Sequence, residues 1–235
     1  ELWLDIKNMN DEGGMHYLGA IVLKNEEKDI FTIIDGQQRI ATLSILVIAA
    51  VKILTEMIEK KIDQKNNEER KLILMRMFLG DKDPTSLNYT SKLYLNEIDD
   101  DFYQTHLLQL RFPLNKNKLN DSNKLMLSAY DYFYEQINNE PTIAKDGEKI
   151  SKFLMDIIAS SILFIQITVE DELSAYTVFE TLNARGLELT SSDLLKNYLF
   201  SLVKSKTDRG ALKTMWNNIS NIVTIKDLPQ FLRHY

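Results

Sequence analysis

Apolar and polar positions alternate in three distinct ways along the chain. Around Gly19 the run Leu18-Gly19-Ala20-Ile21-Val22-Leu23 is apolar and β-prone from Tyr17 onward. A polar turn, Asn25 to Lys28, separates it from a second such run, Asp29 to Ile34. Two β-prone runs joined by a short polar turn predict a hairpin. At Gln37 the period becomes helical and stays so to about Ile62. It is apolar nearly all round through Leu54, then amphipathic with Lys and Glu outward. A helix apolar on every face belongs in an interior. Helical patterns recur at Glu1 to Ile6, Glu68 to Phe78, Asp99 to Leu110, Lys124 to Ile137 and Ile150 to Ile158. They are interrupted by the Pro84 loop (Asp81 to Ser86), a short strand at Ser91 to Leu95, and the polar linker Asn115 to Asn123. Ile162 to Val169 predicts a late strand. Helices follow at Glu172 to Leu182 and Ser191 to Lys204, with two short ones closing the chain.

This order predicts an α+β fold that is mostly helical, with the early and late strands sharing one small mixed sheet. Residues 1–60 with 161–205 would form the core, 61–160 a helical insertion lobe, and 206–235 C-terminal helices. The chain opens at Glu1 inside a helical pattern, which predicts that the natural protein begins upstream. The run Ile40 to Val51 is too short to span a bilayer and carries Thr42 and Ser44, so it predicts a buried central helix, with no membrane partner and a cytoplasmic location.

Composition narrows the chemistry. The net charge is -6 over 235 residues, which excludes a general nucleic-acid binder, because a phosphate backbone demands a basic footprint. The absence of cysteine excludes disulfides, thiolate zinc sites and cysteine nucleophiles. His16, His106 and His234 lie far apart and show no metal-ligand spacing.

Two segments could carry chemistry. In Asp35-Gly36-Gln37-Gln38-Arg39 the second strand stops and the long helix begins. The unpaired N–H groups and positive dipole end of a helix suit an anion at such a place. Gly36 permits close approach of backbone and ligand, and Arg39 on the first turn can fork onto a phosphate. Gln37 and Gln38 do not titrate, but they can hold a base edge, a phosphate oxygen or a water. Asp35 is the nearby base candidate, or a holder of Mg²⁺ through water. The structural alternative is a turn in which Asp35 caps the helix and Arg39 pairs with an acid. The second segment runs from Phe179 to Asp193. Asn183 or Gly186 can end one helix in a left-handed conformation, and Thr190 to Asp193 matches a capping box that starts the next. Glu180 and Asn183, three apart, can share a hard cation, and Arg185 can meet phosphate.

Together these segments resemble the N-terminal domain of the GmrSD-type restriction family, whose hallmark is an Asp-Gly-Gln-Gln-Arg turn. The likeness runs through Tyr17 to Leu23 and Ile33 to Leu43, resumes at Phe179 to Gly186 and Leu189, and ends with Asp193 to Asn197. The family usually has Leu-Thr-Thr after the hallmark, where this chain has Ile40-Ala41-Thr42. The resemblance implies a fold related to ParB and sulfiredoxin, with the hallmark at a helix N-terminus. It implies nucleotide binding and, as in several members, triphosphate hydrolysis, with Mg²⁺ or a similar divalent cation, that controls a nuclease against modified or foreign DNA. By position, Asp35, Gln37, Gln38 and Arg39 would be catalytic. Gly36, Arg39, Asn183, Arg185 and Gly186 would bind nucleotide, and Glu180 and Asn183 would hold the metal. No nuclease motif follows the second segment. DNA would be met through the full-length protein, and cleavage would fall to a nuclease domain or subunit outside this chain. Two rival readings keep the same residues: a DNA-binding or modification-sensing module that hydrolyses nothing, and a scaffold whose polar turn is structural.

Overall fold

The computed structural model describes residues 2–12, 14–27, 29–113, 115–171 and 206–222, with Ser174, Val178, Leu199 and Val203. Its elements run α1 (Leu2–Glu12), β1 (His16–Glu27), β2 (Ile30–Asp35), α2 (Gln37–Glu59), α3 (Gln64–Leu74), β3 (Gly80–Lys82), β4 (Tyr89–Ser91), α4 (Asp100–Phe102), α5 (Asp121–Asn139), α6 (Gly147–Phe153), β5 (Ile162–Val169) and α7 (Lys206–Ile222). The fold is α+β and mostly helical, with a small mixed sheet. In that sheet β1 is central, in the order β2-β1-β5. β2 runs antiparallel to β1, so in a mixed sheet β5 runs parallel to it. The His16 N–H donates to the Ser161 carbonyl at 2.8 Å where β1 and β5 begin.

The late strand has the bounds its pattern predicts, and the hairpin and long helix differ only at their ends. Other elements differ for physical reasons. α3, α4 and α6 each continue into a π-helical turn, at Met75–Leu79, Tyr103–Leu107 and Leu154–Ala159. The helix predicted over Asp99 to Leu110 is thus a short α-turn followed by a wider one. α5 begins at Asp121, inside the predicted linker, because the Asn120 side chain caps it by accepting from the Asn123 N–H at 2.7 Å. The predicted Pro84 loop is the turn of a β3–β4 hairpin. Of the closing stretch, the described residues form one helix of 17 residues, unbroken at Gly210, and residues 223–235 lie outside the described residues. The helices predicted over Glu172 to Leu182 and Ser191 to Lys204 lie largely outside the described residues.

The chain divides into two compact units, Glu1–Gly19 with Gln38–Phe164, and Ala20–Gln37 with Ile165–Tyr235. The first holds one continuous core around α2, where Leu46, Ile48, Ala49, Ala50 and Leu54 have no exposed surface. Trp3 and Ile6 of α1, Tyr130, Phe133 and Ile137 of α5, and Ile150 and Phe153 of α6 belong to the same core. By length and composition α2 could cross a membrane, but 61% of its most apolar window is buried in the protein. It is a core helix, as its all-round apolar surface predicts. Two polar bonds fix neighbours against it. Ser44 Oγ lies 2.5 Å from the Tyr103 hydroxyl, and the Tyr134 hydroxyl donates to Glu56 Oε2 at 2.8 Å. Tyr103 is fully buried, and burial pushes its hydroxyl up to about 12, against the pull of the Ser44 bond.

Candidate functional site

The Asp35–Arg39 turn stands where β2 ends and α2 starts, the strand-to-helix junction the sequence predicts. Asp35, Gly36 and Gln37 belong to the second compact unit, Gln38 and Arg39 to the first. Each part is built on its own piece of β1.

In the second unit the hairpin is irregular next to the turn. Val22 pairs with Asp35 and Leu23 with Ile33, so Ile34 is an extra residue in β2. A bulge re-aims the side chains beyond it and tightens the local twist. Another lies at Glu26, between the Asn25 and Glu27 pairings. There Thr32 Oγ1 donates to Glu26 Oε1 at 2.8 Å, with Lys24 Nζ 3.1 Å from the same oxygen. These two partners hold the Glu26 carboxyl below its ordinary value.

Gly36 is buried, with φ +93°, a backbone conformation that glycine alone adopts at little cost. A Cβ there would lie 2.6 Å from Ile21 Cγ2. The methyl of Ile21 therefore takes the space that a side chain at 36 would need. Gln37 is exposed, and its Nε2 donates to the Ile33 carbonyl at 2.7 Å. That bond turns the amide so that its acceptor oxygen remains for a water or ligand.

In the first unit Gln38 is exposed, and its carbonyl accepts from Thr42 Oγ1 at 2.7 Å one turn on. Arg39 is half-buried. Its Nη1 donates to the Leu18 carbonyl at 3.3 Å. Gly19, at φ +109°, lies under the guanidinium, and a Cβ on it would overlap Nη1. Gly19 is the contributor that reading the sequence passes over as a site residue. Its signal was a lone glycine inside an otherwise β-prone run, which marks a close approach of something to the backbone.

In the first unit the Arg39 guanidinium and the Gln38 carboxamide stand on the first turn of α2; in the second, Asp35 brings a carboxylate and Gln37 a carboxamide whose oxygen can accept. Among the described residues no cluster of three His, Asp or Glu side chains could hold a metal ion. Glu180, Asn183, Arg185 and Gly186, the second predicted segment, lie outside the described residues.

Comparison with known families matches residues 1–200 to the GmrSD restriction endonuclease, N-terminal domain. The match spans both predicted segments and the helical stretch between them. Comparison with curated proteins gives no match.

Proposed function

The chain belongs to the GmrSD restriction endonuclease N-terminal domain family, and from that premise we propose that its Asp35–Arg39 turn binds and hydrolyses a nucleoside triphosphate to control DNA restriction. The observation that carries this reading is the strand-to-helix junction itself. There an acid, two carboxamides and an arginine follow one another in sequence where β2 gives way to a 23-residue helix.

The chemistry follows from the groups. Arg39 and the first N–H groups of α2 take phosphate oxygens. Gln37, its amide turned by the Ile33 bond, or the exposed Gln38 places a water. Asp35 accepts a proton from that water or holds a divalent cation's hydration shell. One carboxylate suits Mg²⁺, which keeps several waters and takes its remaining oxygens from phosphates. When bound, such an ion neutralises charge on the transferring phosphoryl group. In the same reading Glu180 and Asn183 add oxygen ligands, while Arg185 and Gly186 add phosphate contacts. DNA and a nuclease domain or subunit are engaged through the full-length protein.

The test is a titration of the intact protein with ATP, GTP and CTP, with and without Mg²⁺. Arg39→Ala should weaken binding by about 1.5–3 kcal/mol, the worth of a hydrogen bond to a charged group. Asp35→Ala should abolish hydrolysis while sparing most of the affinity. Unchanged nucleotide affinity in a folded Arg39→Ala protein would overturn the proposal.

A further inference from the structure

We propose that Gly19 is a positioning residue for Arg39: the side chain that Gly19 lacks is the seat of the guanidinium. The inference rests on the nucleotide reading only for its consequence, not for the seat. Three observations build the seat, all within one compact unit. Arg39 Nη1 lies so close that a Cβ of Gly19 would overlap it, with Cζ 3.3 Å and Cδ 3.9 Å from that Cβ position. The carbonyl of the preceding residue, Leu18, accepts from the same nitrogen at 3.3 Å. The backbone at Gly19 has φ +109°, which an L side chain strains to adopt.

A guanidinium is a planar fork of five donors. Holding one nitrogen against a backbone carbonyl, beside a residue that has no side chain, restricts the direction the group can take. A lysine could not be held this way, because its ammonium is a rotating point charge on a flexible stem. Preorganisation of this kind lowers the ordering cost when an anion arrives. Gly19 then contributes to nucleotide affinity although it need not touch the nucleotide, and it does so only through Arg39.

The experiment is a double-mutant cycle on the full-length protein: wild type, Gly19→Ala, Arg39→Ala, and both. It is read by ATP–Mg²⁺ titration and by thermal melting. The seat predicts that Gly19→Ala loses about tenfold or more in ATP affinity, approaching the loss in Arg39→Ala. The double variant should bind no worse than Arg39→Ala alone. Melting reads the seat without any nucleotide. Gly19→Ala should lower the melting temperature, and adding Arg39→Ala should restore part of the loss, because the overlapping group is gone. Losses that simply add, in affinity or in melting temperature, would overturn the inference. If ATP binds to none of the four while the melting suppression holds, the nucleotide reading fails and the seat stands. Should Gly19→Ala not fold, guanidinium nitrogen signals of the wild-type protein decide, with Arg39 assigned by its loss in Arg39→Ala. Slowed rotation at Arg39 supports the seat, and freely averaged signals overturn it.

Discussion

Gly36→Ala separates two reasons for a glycine in the signature turn. The substitution adds one Cβ at φ +93°, 2.6 Å from Ile21 Cγ2 and 3.3 Å from Ile21 Cβ. The backbone strain costs about 1–3 kcal/mol, and forcing a methyl into an occupied space costs about 1–3 kcal/mol more. The sum, about 2–6 kcal/mol, is large against the total stability of a domain. Ile21→Ala removes Cγ2 and opens the space. Alone it should cost about 2–5 kcal/mol as a cavity, since Ile21 is 9% exposed. In combination with Gly36→Ala the overlap disappears while the strain remains. The double variant should therefore be more stable than the sum of the single losses predicts, by about 1–3 kcal/mol. Equilibrium urea denaturation of the four proteins measures every term. A Gly36→Ala protein within about 0.5 kcal/mol of wild type, the range of an inert surface change, would refute both terms. A strictly additive cycle would refute the overlap and leave the backbone as the reason for glycine.

Two further outcomes test the core. Leu46→Ala, at a position with no exposed surface in the middle of α2, should cost about 2–5 kcal/mol in denaturant melts; a smaller loss would mean that the helix is not the centre of the first unit. Tyr103 should make stability fall at alkaline pH. Its hydroxyl is raised in the fold from 10.0 to about 12, so the folded chain keeps a proton that the unfolded chain gives up. That contribution is whole below pH 10, declines between pH 10 and 12, and is gone above. It amounts to about 2–3 kcal/mol. Tyr103→Phe should flatten the decline without removing it, because burial also raises the hydroxyls of Tyr130 and Tyr134.

The strands of the mixed sheet and the central helix were legible because their signals are local, whereas β3 was read as loop and β4 ends at Ser91, where the pattern has a strand begin. Ile162–Val169 is bounded by its own change of pattern, and α2 is apolar all round where Ile45 to Val51 are buried in succession. What the pattern hid depends on partners distant in sequence. Asn67 sits in a polar helical run, yet it is fully buried. Its Nδ2 donates to the Ile62 carbonyl at 2.9 Å, its Oδ1 accepts from Arg70 at 2.9 Å, and Gly147 leaves space for it, since a Cβ there would overlap Oδ1. No periodicity announces a buried asparagine whose seat is a glycine 80 residues on. The π-helical turns are hidden for the same kind of reason, since their wider spacing is decided by packing and not by propensity. At the signature turn, residue types and junction were readable from five consecutive letters. The bulge at Ile34 was not, because a bulge is a relation between two strands.

The turn is therefore better understood through β1 than through its own five residues. Leu18 accepts from Arg39, Gly19 leaves room for it, Ile21 fills the space beside Gly36, and Val22 pairs with Asp35. Each of these contacts lies within one compact unit, but the strand that makes them is continuous. Residues on a strand alternate in direction, so a one-residue slip in β1 would exchange the side chains facing each part of the turn. Ile21 would leave Gly36, and a residue with a side chain would arrive under Arg39. The two glycines are matched to that register. Each stands where a neighbour's side chain occupies the missing Cβ, and each adopts a φ that other residues resist. The signature and Leu18 to Val22 consequently act as one unit of sequence. A chain carrying Asp-Gly-Gln-Gln-Arg without a glycine at the position of Gly19 would have the letters of the site without the direction of its arginine.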